Sequence, residues 1–336
     1  MFDILERLCN LDSTSGDEKS VTEYIINEIK DFCECKTDNL GNIIAFKKGK
    51  NKSAKKLMLD AHMDEVGLII TSVTADGFLK FKTIGGIDVS ALMFKTVKIN
   101  GKLNGVICGK PIHLISSDER KKPPKEDGLY IDIGATSKEE SLKFVSVGDR
   151  AVLTGEYTEN GEKIISKALD DRIGCAVLIK LIKEYDEYDF YASFSVQEEV
   201  GLRGAKVTAF AINPDSAIVL EGTTAGDISG VSEENKVCKL CDGVAVSFMD
   251  TATVYDKEYY NYALTSGIKC QPKAAVTGGN NSGAIHLSRE GVRTLALSLP
   301  CRYIHTSSSV ADKDDCECLL SLTKYMLKGI CSGKIS

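Results

Sequence analysis

Two adjacent carboxylates, Glu198 and Glu199, stand just beyond the apolar run Phe190–Val196. The run is aromatic and apolar enough to form a buried strand, and Gly201 and Gly204 then loosen the chain. Such a pair repels itself unless a positive charge lies close. A divalent cation supplies that charge: one carboxylate binds it and the other stays free to move protons. An isolated Glu-Glu pair is more often a solvated turn. Here other strand-like segments also end in ligand-type residues, at His62, Asp170, Glu221 and His305. Parallel strands in an open α/β sheet bring their C-terminal ends to one edge, where active sites form. Two histidines and several carboxylates gathered there suit two borderline divalent ions, most simply zinc, with cobalt or manganese compatible.

Each residue alone has a plainer reading. His62 and His305 could be structural histidines, Asp170 a helix cap, and Glu221 a solvated strand end. Their joint placement favours the metal site, and His-x-Asp at 62–64 puts Asp64 where it can orient the imidazole. The remaining two of the four histidines, His113 and His286, have no acid close in sequence and read as structural.

The elements that must position these groups follow an α/β pattern. Residues 1–32 read as helical, with Ser15-Gly16-Asp17-Glu18 as a capping box ahead of Val21, Tyr24, Ile25, Ile29 and Phe32. Strands are expected at 43–46, 57–61, 164–169, 190–196, 216–220, 243–248 and 294–299, and helices at 170–185, 257–265 and 312–330. A glycine-rich turn, Gly278–Gly283, enters one further helix. Between 70 and 162 the texture changes to short strands with close turns, including a hairpin signal at Asp76-Gly77. This stretch reads as a small all-β, barrel-like domain inserted into a catalytic domain formed by residues 1–69 and 163–336. The fold class is therefore a mixed-sheet α/β/α domain carrying a β insert.

Composition narrows the function. The chain has 336 residues, 43% of them hydrophobic, enough for two domains. A net charge of −6 with both signs mixed gives no electrostatic case for nucleic acid or an anionic membrane. The first residues lack a signal-peptide layout and no apolar run approaches the ~20 residues of a membrane span, so a soluble, cytoplasmic protein is expected. The twelve cysteines are scattered, and only Cys238-Lys-Leu-Cys241 has zinc-knuckle spacing, without a matching second pair. They read mostly as free thiols without an assigned role.

Five motifs carry a resemblance: A-H-M-D-E-V-G (61–67), A-L-D-D-R-I-G (168–174), Q-E-E-V-G-L-R-G-A (197–205), G-A-I-H-L-S-R-E-G-V (283–292) and R-Y-I-H (302–305). In type and order the chain resembles the tetrahedral-assembly aminopeptidases. These are di-metal metallopeptidases that include glutamyl and deblocking aminopeptidases, and some members carry an endoglucanase label. The resemblance implies a di-zinc exopeptidase-like catalytic domain acting on short peptides. It further implies that His62 and Glu221 hold one metal, Glu199 and His305 the other, and Asp170 bridges both. Glu198 would be the general base and Asp64 the support for His62. A homo-oligomer, a dodecamer built from dimers, is implied as well.

Two positions depart from the family pattern. Glu221 stands where an Asp is usual, and Gly278-Gly279-Asn280-Asn281-Ser282-Gly283 stands where G-G-T-D-A-G is usual. Two rival readings follow from these residues. A glycoside hydrolase also uses paired carboxylates, but leaves His62, Asp170 and His305 idle, and the chain has no Trp for sugar stacking. A metal-binding assembly subunit whose catalysis has lapsed would follow if Glu221 and Asn281 had disabled the site.

Overall fold

The computed structural model describes residues 1–117 and 121–335. Its centre is an eight-stranded mixed sheet. In spatial order the strands are Glu34–Thr37, Ile43–Lys47, Phe190–Ser195, Leu57–His62, Ser216–Thr224, Arg293–Cys301, Val244–Val246 and Cys270–Pro272. The middle four, from Phe190–Ser195 to Arg293–Cys301, run parallel. Every residue of Leu57–His62 is buried, as expected of a central parallel strand covered on both faces.

Helices cover the sheet in two groups. Leu169–Glu184 packs on Leu57–His62 and Ser216–Thr224, together with Phe2–Cys9, Lys19–Ile29 and Lys313–Cys331. Arg203–Ile212 and Ser282–Ile285 pack on each other and on the same sheet. One continuous apolar core results, built on residues such as Leu59, Ile179, Phe194, Ile218 and Leu297, all fully buried.

Six strands close a separate antiparallel barrel in the order Gly67–Val73, Leu79–Ile84, Tyr130–Asp132, Leu103–Cys108, Thr96–Ile99 and Arg150–Leu153. It has its own core, including Leu68, Ile70, Phe81, Val97 and Ile131. The first hairpin turns at Gly77, whose φ of 88° suits glycine. The fold class is the expected one: an α/β domain with a mixed sheet and an added β barrel.

Several local expectations need correction. Residues 1–32 form two helices, Phe2–Cys9 and Lys19–Ile29, and no capping box joins them. Glu18 sits at the second N-cap and its carboxylate accepts from the Gly16 N–H (2.7 Å), while the Ser15 hydroxyl donates to Asp64 instead. A tertiary partner has outcompeted the local one. The strand ahead of Asp170, Lys163–Ser166, lies outside the main sheet, between Thr158–Asn160 and Ser309–Asp312. Asp170 thus reaches the sheet edge through the start of a helix and not through a strand end. Glu221 falls inside its strand, which runs on to Thr224, and not at its end. Among the described residues no helix is long and apolar enough to cross a membrane.

Candidate metal centre

His62 ends its strand fully enclosed. Its Nδ1 lies 3.0 Å from the Asp64 carbonyl oxygen and 3.5 Å from the Asp64 carboxylate. The backbone carbonyl, nearer than the carboxylate expected from sequence, fixes the ring. A proton on Nδ1 leaves Nε2 with a free lone pair. That atom faces Asp170 Oδ1 at 3.5 Å and Glu221 Oε2 at 3.6 Å.

The chain reaches Asp170 through Ala168, a non-glycine residue with φ of 52°. Asp170 and Asp171 keep non-helical backbone angles, and the peptide between them is cis. Asp170 Oδ1 accepts the Gly222 N–H (2.9 Å), and Oδ2 lies 3.6 Å from His305 Nε2. Asp170 therefore stands between the two imidazoles. Asp171 is fully buried near His62 and could by proximity join a ligand group with His62 and Glu221. Its oxygens, however, already accept the N–H groups of His62 (3.2 Å) and Gly174 (3.0 Å), so Asp170 is the better donor.

Gln197, with φ of 56°, turns the chain sharply after the Phe190–Ser195 strand. The N–H groups of Glu198 and Glu199 then donate to the two oxygens of Asp64, at 2.9 and 3.1 Å. Glu199 Oε1 lies 3.1 Å from His305 Nε2. His305 follows the Arg293–Cys301 strand by four residues, itself with positive φ (60°). Its Nδ1 is 2.8 Å from the carbonyl of Gly86, in the loop after the second barrel strand. The barrel thus supplies one anchor of the site.

The electrostatics show how closely the carboxylates are crowded. Burial drives the Glu198 carboxyl up to about 8; Glu199, Asp170 and Asp64 add to the shift and His62 opposes it. Burial likewise pushes Glu221 well up. Burial works against a charged His305, but contacts with Asp170 and Glu199 outweigh it and raise the ring to about 11. His62 is raised too, by Asp170, Asp64 and Glu221 against the effect of burial. Protons are being asked to hold apart a crowd of buried carboxylates, the work that a cation does better. Glu221 Oε1 is buried without a hydrogen-bond partner, which is costly unless a ligand meets it. Imidazole nitrogen and carboxylate oxygen are the donors of a borderline divalent ion. The described residues therefore fit a His/carboxylate metal site, with His62, Asp170 and Glu199 within ligand reach of one another.

Of the residues expected from sequence, His62, Asp64, Asp170, Glu198, Glu199, Glu221 and His305 are all brought to this one place. His113 is exposed elsewhere, and His286 Nδ1 is 2.7 Å from the Ser282 carbonyl. A cavity of about 250 Å³ opens beside the cluster, lined also by Thr223, Lys273, Asn280, Ser298 and Ile304. Lys273 and Gly86 carried no local sequence signal, since both reach the site from loops.

Histidines and carboxylates thus gather at the C-terminal edge of the parallel strands of an α/β sheet, beside a cavity of about 250 Å³, in an arrangement whose donors fit a metal ion. The M42 glutamyl aminopeptidase model matches residues 41–322, and the chain belongs to that family, which makes it a peptidase of the aminopeptidase class. A putative aminopeptidase of Acetivibrio thermocellus is 39% identical over 339 residues, covering 98% of each chain. The lysyl aminopeptidase of Pyrococcus furiosus is 30% identical, covering 97% of this chain and 96% of that one. Among solved structures, the Pyrococcus horikoshii TET1 peptidase, which can assemble into a tetrahedron or a large octahedral shell, superposes with a TM-score of 0.84 at 33% identity. It covers 97% of this chain and 98% of that chain.

Proposed function

We propose that this chain is a two-metal aminopeptidase that releases N-terminal residues from short peptides. The observation that carries the reading is Asp170, set between His62 and His305 with one carboxylate oxygen toward each. His62 and Glu221 would hold one divalent ion, Glu199 and His305 the other, and Asp170 both. Zinc is the simplest occupant, with cobalt or manganese of the same donor preference. When bound, such a pair acidifies a water and polarises a carbonyl.

The rest falls to the chain's own groups. The Glu198 carboxylate lines the cavity and makes no hydrogen bond of its own among the described residues. It is free to take a proton from the attacking water and pass it to the departing amine. Asp64 holds the backbone of Glu198 and Glu199 in register, and the Gly86 carbonyl holds His305.

Two observations favour an active site over a lapsed one. Glu221 still comes within 3.6 Å of His62 Nε2. Asn281 does not line the cavity and is bonded instead to Asp60 and Ser195, both at 2.8 Å. The glycosidase reading gains nothing, because the carboxylates are interleaved with imidazoles.

The same proposal includes a cytoplasmic homo-oligomer, a dodecamer built from dimers, with residues 70–162 serving self-association. Phe94, Phe144 and Val147 of that stretch are exposed apolar residues, a feature of contact surfaces. The direct test is amino-acid release from free and N-terminally blocked short peptides. Release should require the free amine, and blocked peptides cleaved equally well would refute the reading.

A further inference from the structure

Glu65 follows Asp64 in the first of the sequence motifs and Arg172 lies in the second, yet neither has a part in the proposed reaction. With Lys167 they form a buried ion cluster against the candidate ligands. Glu65 and Lys167 line a small cavity, about 10 Å³, together with Asp170, Glu199 and His305. The Glu65 carboxylate takes the Lys167 ammonium on both oxygens, at 2.8 and 3.0 Å, and Arg172 Nη2 on one, at 3.1 Å. The Ser13 N–H donates to that same oxygen (3.0 Å). Lys167 also donates to Asp12 Oδ1 (2.9 Å) and the Leu11 carbonyl (3.3 Å), and Arg172 donates to the carbonyls of Met63 and Leu11. Lys167 is 4% exposed, Glu65 5% and Arg172 0%.

Charge is costly to bury, and lysine and arginine are almost never enclosed this far unless paired. Here two cations, Lys167 and Arg172, meet two carboxylates, Glu65 and Asp12, so the four groups sum to no net charge beside a site built for cations. Lys98 of the barrel approaches Asp12 from outside, at 3.7 Å. Apolar side chains filling the same volume would serve stability as well or better, so stability alone does not account for the charges. Their reach along the chain does. Glu65 ties residues on both sides of Asp170, Lys167 three before it and Arg172 two after, to the segment that carries His62 and Asp64. Asp170 Oδ1 and His62 Nε2, 3.5 Å apart, are the pair so aligned. A ligand constellation tolerates displacements of only about 0.5 Å.

We infer that Glu65, with Lys167 and Arg172, is a positioning clamp that sets Asp170 against His62 and thereby fixes the affinity of the site for divalent ions. The inference rests on the two-metal reading and deepens it, by naming groups that hold the ligands without touching an ion.

Glu65→Gln alone would leave Lys167 and Arg172 with Asp12 as their one carboxylate and so put the fold at risk. The informative variant is Glu65→Gln/Lys167→Met. It removes one charge of each sign, keeps an acceptor for Ser13 and Arg172, and leaves Arg172 and Asp12 in balance. Protein stripped of metal by a chelator is titrated with zinc against a chromophoric competitor, and its denaturant midpoint is measured beside that of wild type. The double variant should unfold near the wild-type midpoint and bind zinc about 10–100-fold more weakly. A merely structural cluster would shift the midpoint and leave zinc affinity unchanged.

Wild type supplies a second readout, because coupling is reciprocal: a clamp that favours the ion is itself favoured by the ion. The Ser13 amide, bonded to Glu65 and remote in sequence from every candidate ligand, should exchange with solvent more slowly in zinc. The slowing should exceed that of amides in the barrel strand Leu103–Cys108. Wild-type zinc affinity in the double variant overturns the inference and leaves the two-metal reading intact. Ser13 exchange that zinc slows no more than the barrel's does the same, and decides alone if the variant does not fold. A wild type that binds no zinc removes the two-metal reading and this inference together.

Discussion

The carboxylate of Asp64 accepts the backbone N–H of Glu198 at 2.9 Å, and its second oxygen accepts that of Glu199 at 3.1 Å. The Ser15 hydroxyl adds a third bond at 2.6 Å. Asp64 is therefore the group that holds the two glutamates, more directly than it holds His62. In Asp64→Asn, one acceptor oxygen becomes a donor facing an N–H. Metal affinity or turnover should fall by about 10–100-fold, the usual range for groups that orient ligands. Metal titration alongside kcat measures it, and a variant equal to wild type in both would remove Asp64 from the site.

Glu198 carries the proton in the proposed reaction, so Glu198→Gln should keep its fold and most of its metal while turnover falls at least ~100-fold. Comparing metal content with peptide release in one preparation tests this. Near-normal turnover would exclude Glu198 as the base.

Gly222 lets the Ser216–Thr224 strand approach Asp170 closely. A Cβ at this position would stand 2.7 Å from the Asp170 Cβ, and the Gly222 N–H already donates to Asp170 Oδ1. Gly222→Ala should displace Asp170, cost about 1–3 kcal/mol of stability by overpacking, and reduce bound metal. Retention of full metal content would show that Asp170 is not a shared ligand.

Asn281 explains itself through Asp60. The amide donates to the buried Asp60 carboxylate and to Ser195, while burial raises the Asp60 carboxyl to about 6 against hydrogen bonds from Ser193 and Asn281. Restoring an acid in Asn281→Asp would face two buried carboxyls at hydrogen-bond distance, and stability should drop by about 3 kcal/mol. The double variant Asp60→Asn/Asn281→Asp rebuilds one acid and one amide and should recover most of the loss. Denaturant melts of the cycle check it, and simple additivity would contradict the coupling.

These relationships mark the limits of the sequence. His62, Glu198-Glu199 and His305 were legible because apolar runs of strand length end just before them, and parallel strands share an edge. Asp170 was legible as a candidate but not by its route, because a short strand outside the sheet looks like a sheet strand in periodicity alone. The capping-box reading of Ser15–Glu18 failed because Ser15 bonds to Asp64, which lies 49 residues away. The barrel showed in its short strands and its Asp-Gly turn, but its gift of the Gly86 carbonyl to His305 did not, since a backbone group leaves no trace in residue type.

The measurement that tests the two-metal reading most directly is the metal content of the purified protein, with peptide turnover followed before and after treatment with a strong chelator. The account predicts about two divalent ions per chain, loss of turnover when they are removed, and its return on adding zinc, cobalt or manganese. A protein that binds no metal even after reconstitution, or that cleaves peptides undiminished in the chelator, would contradict it.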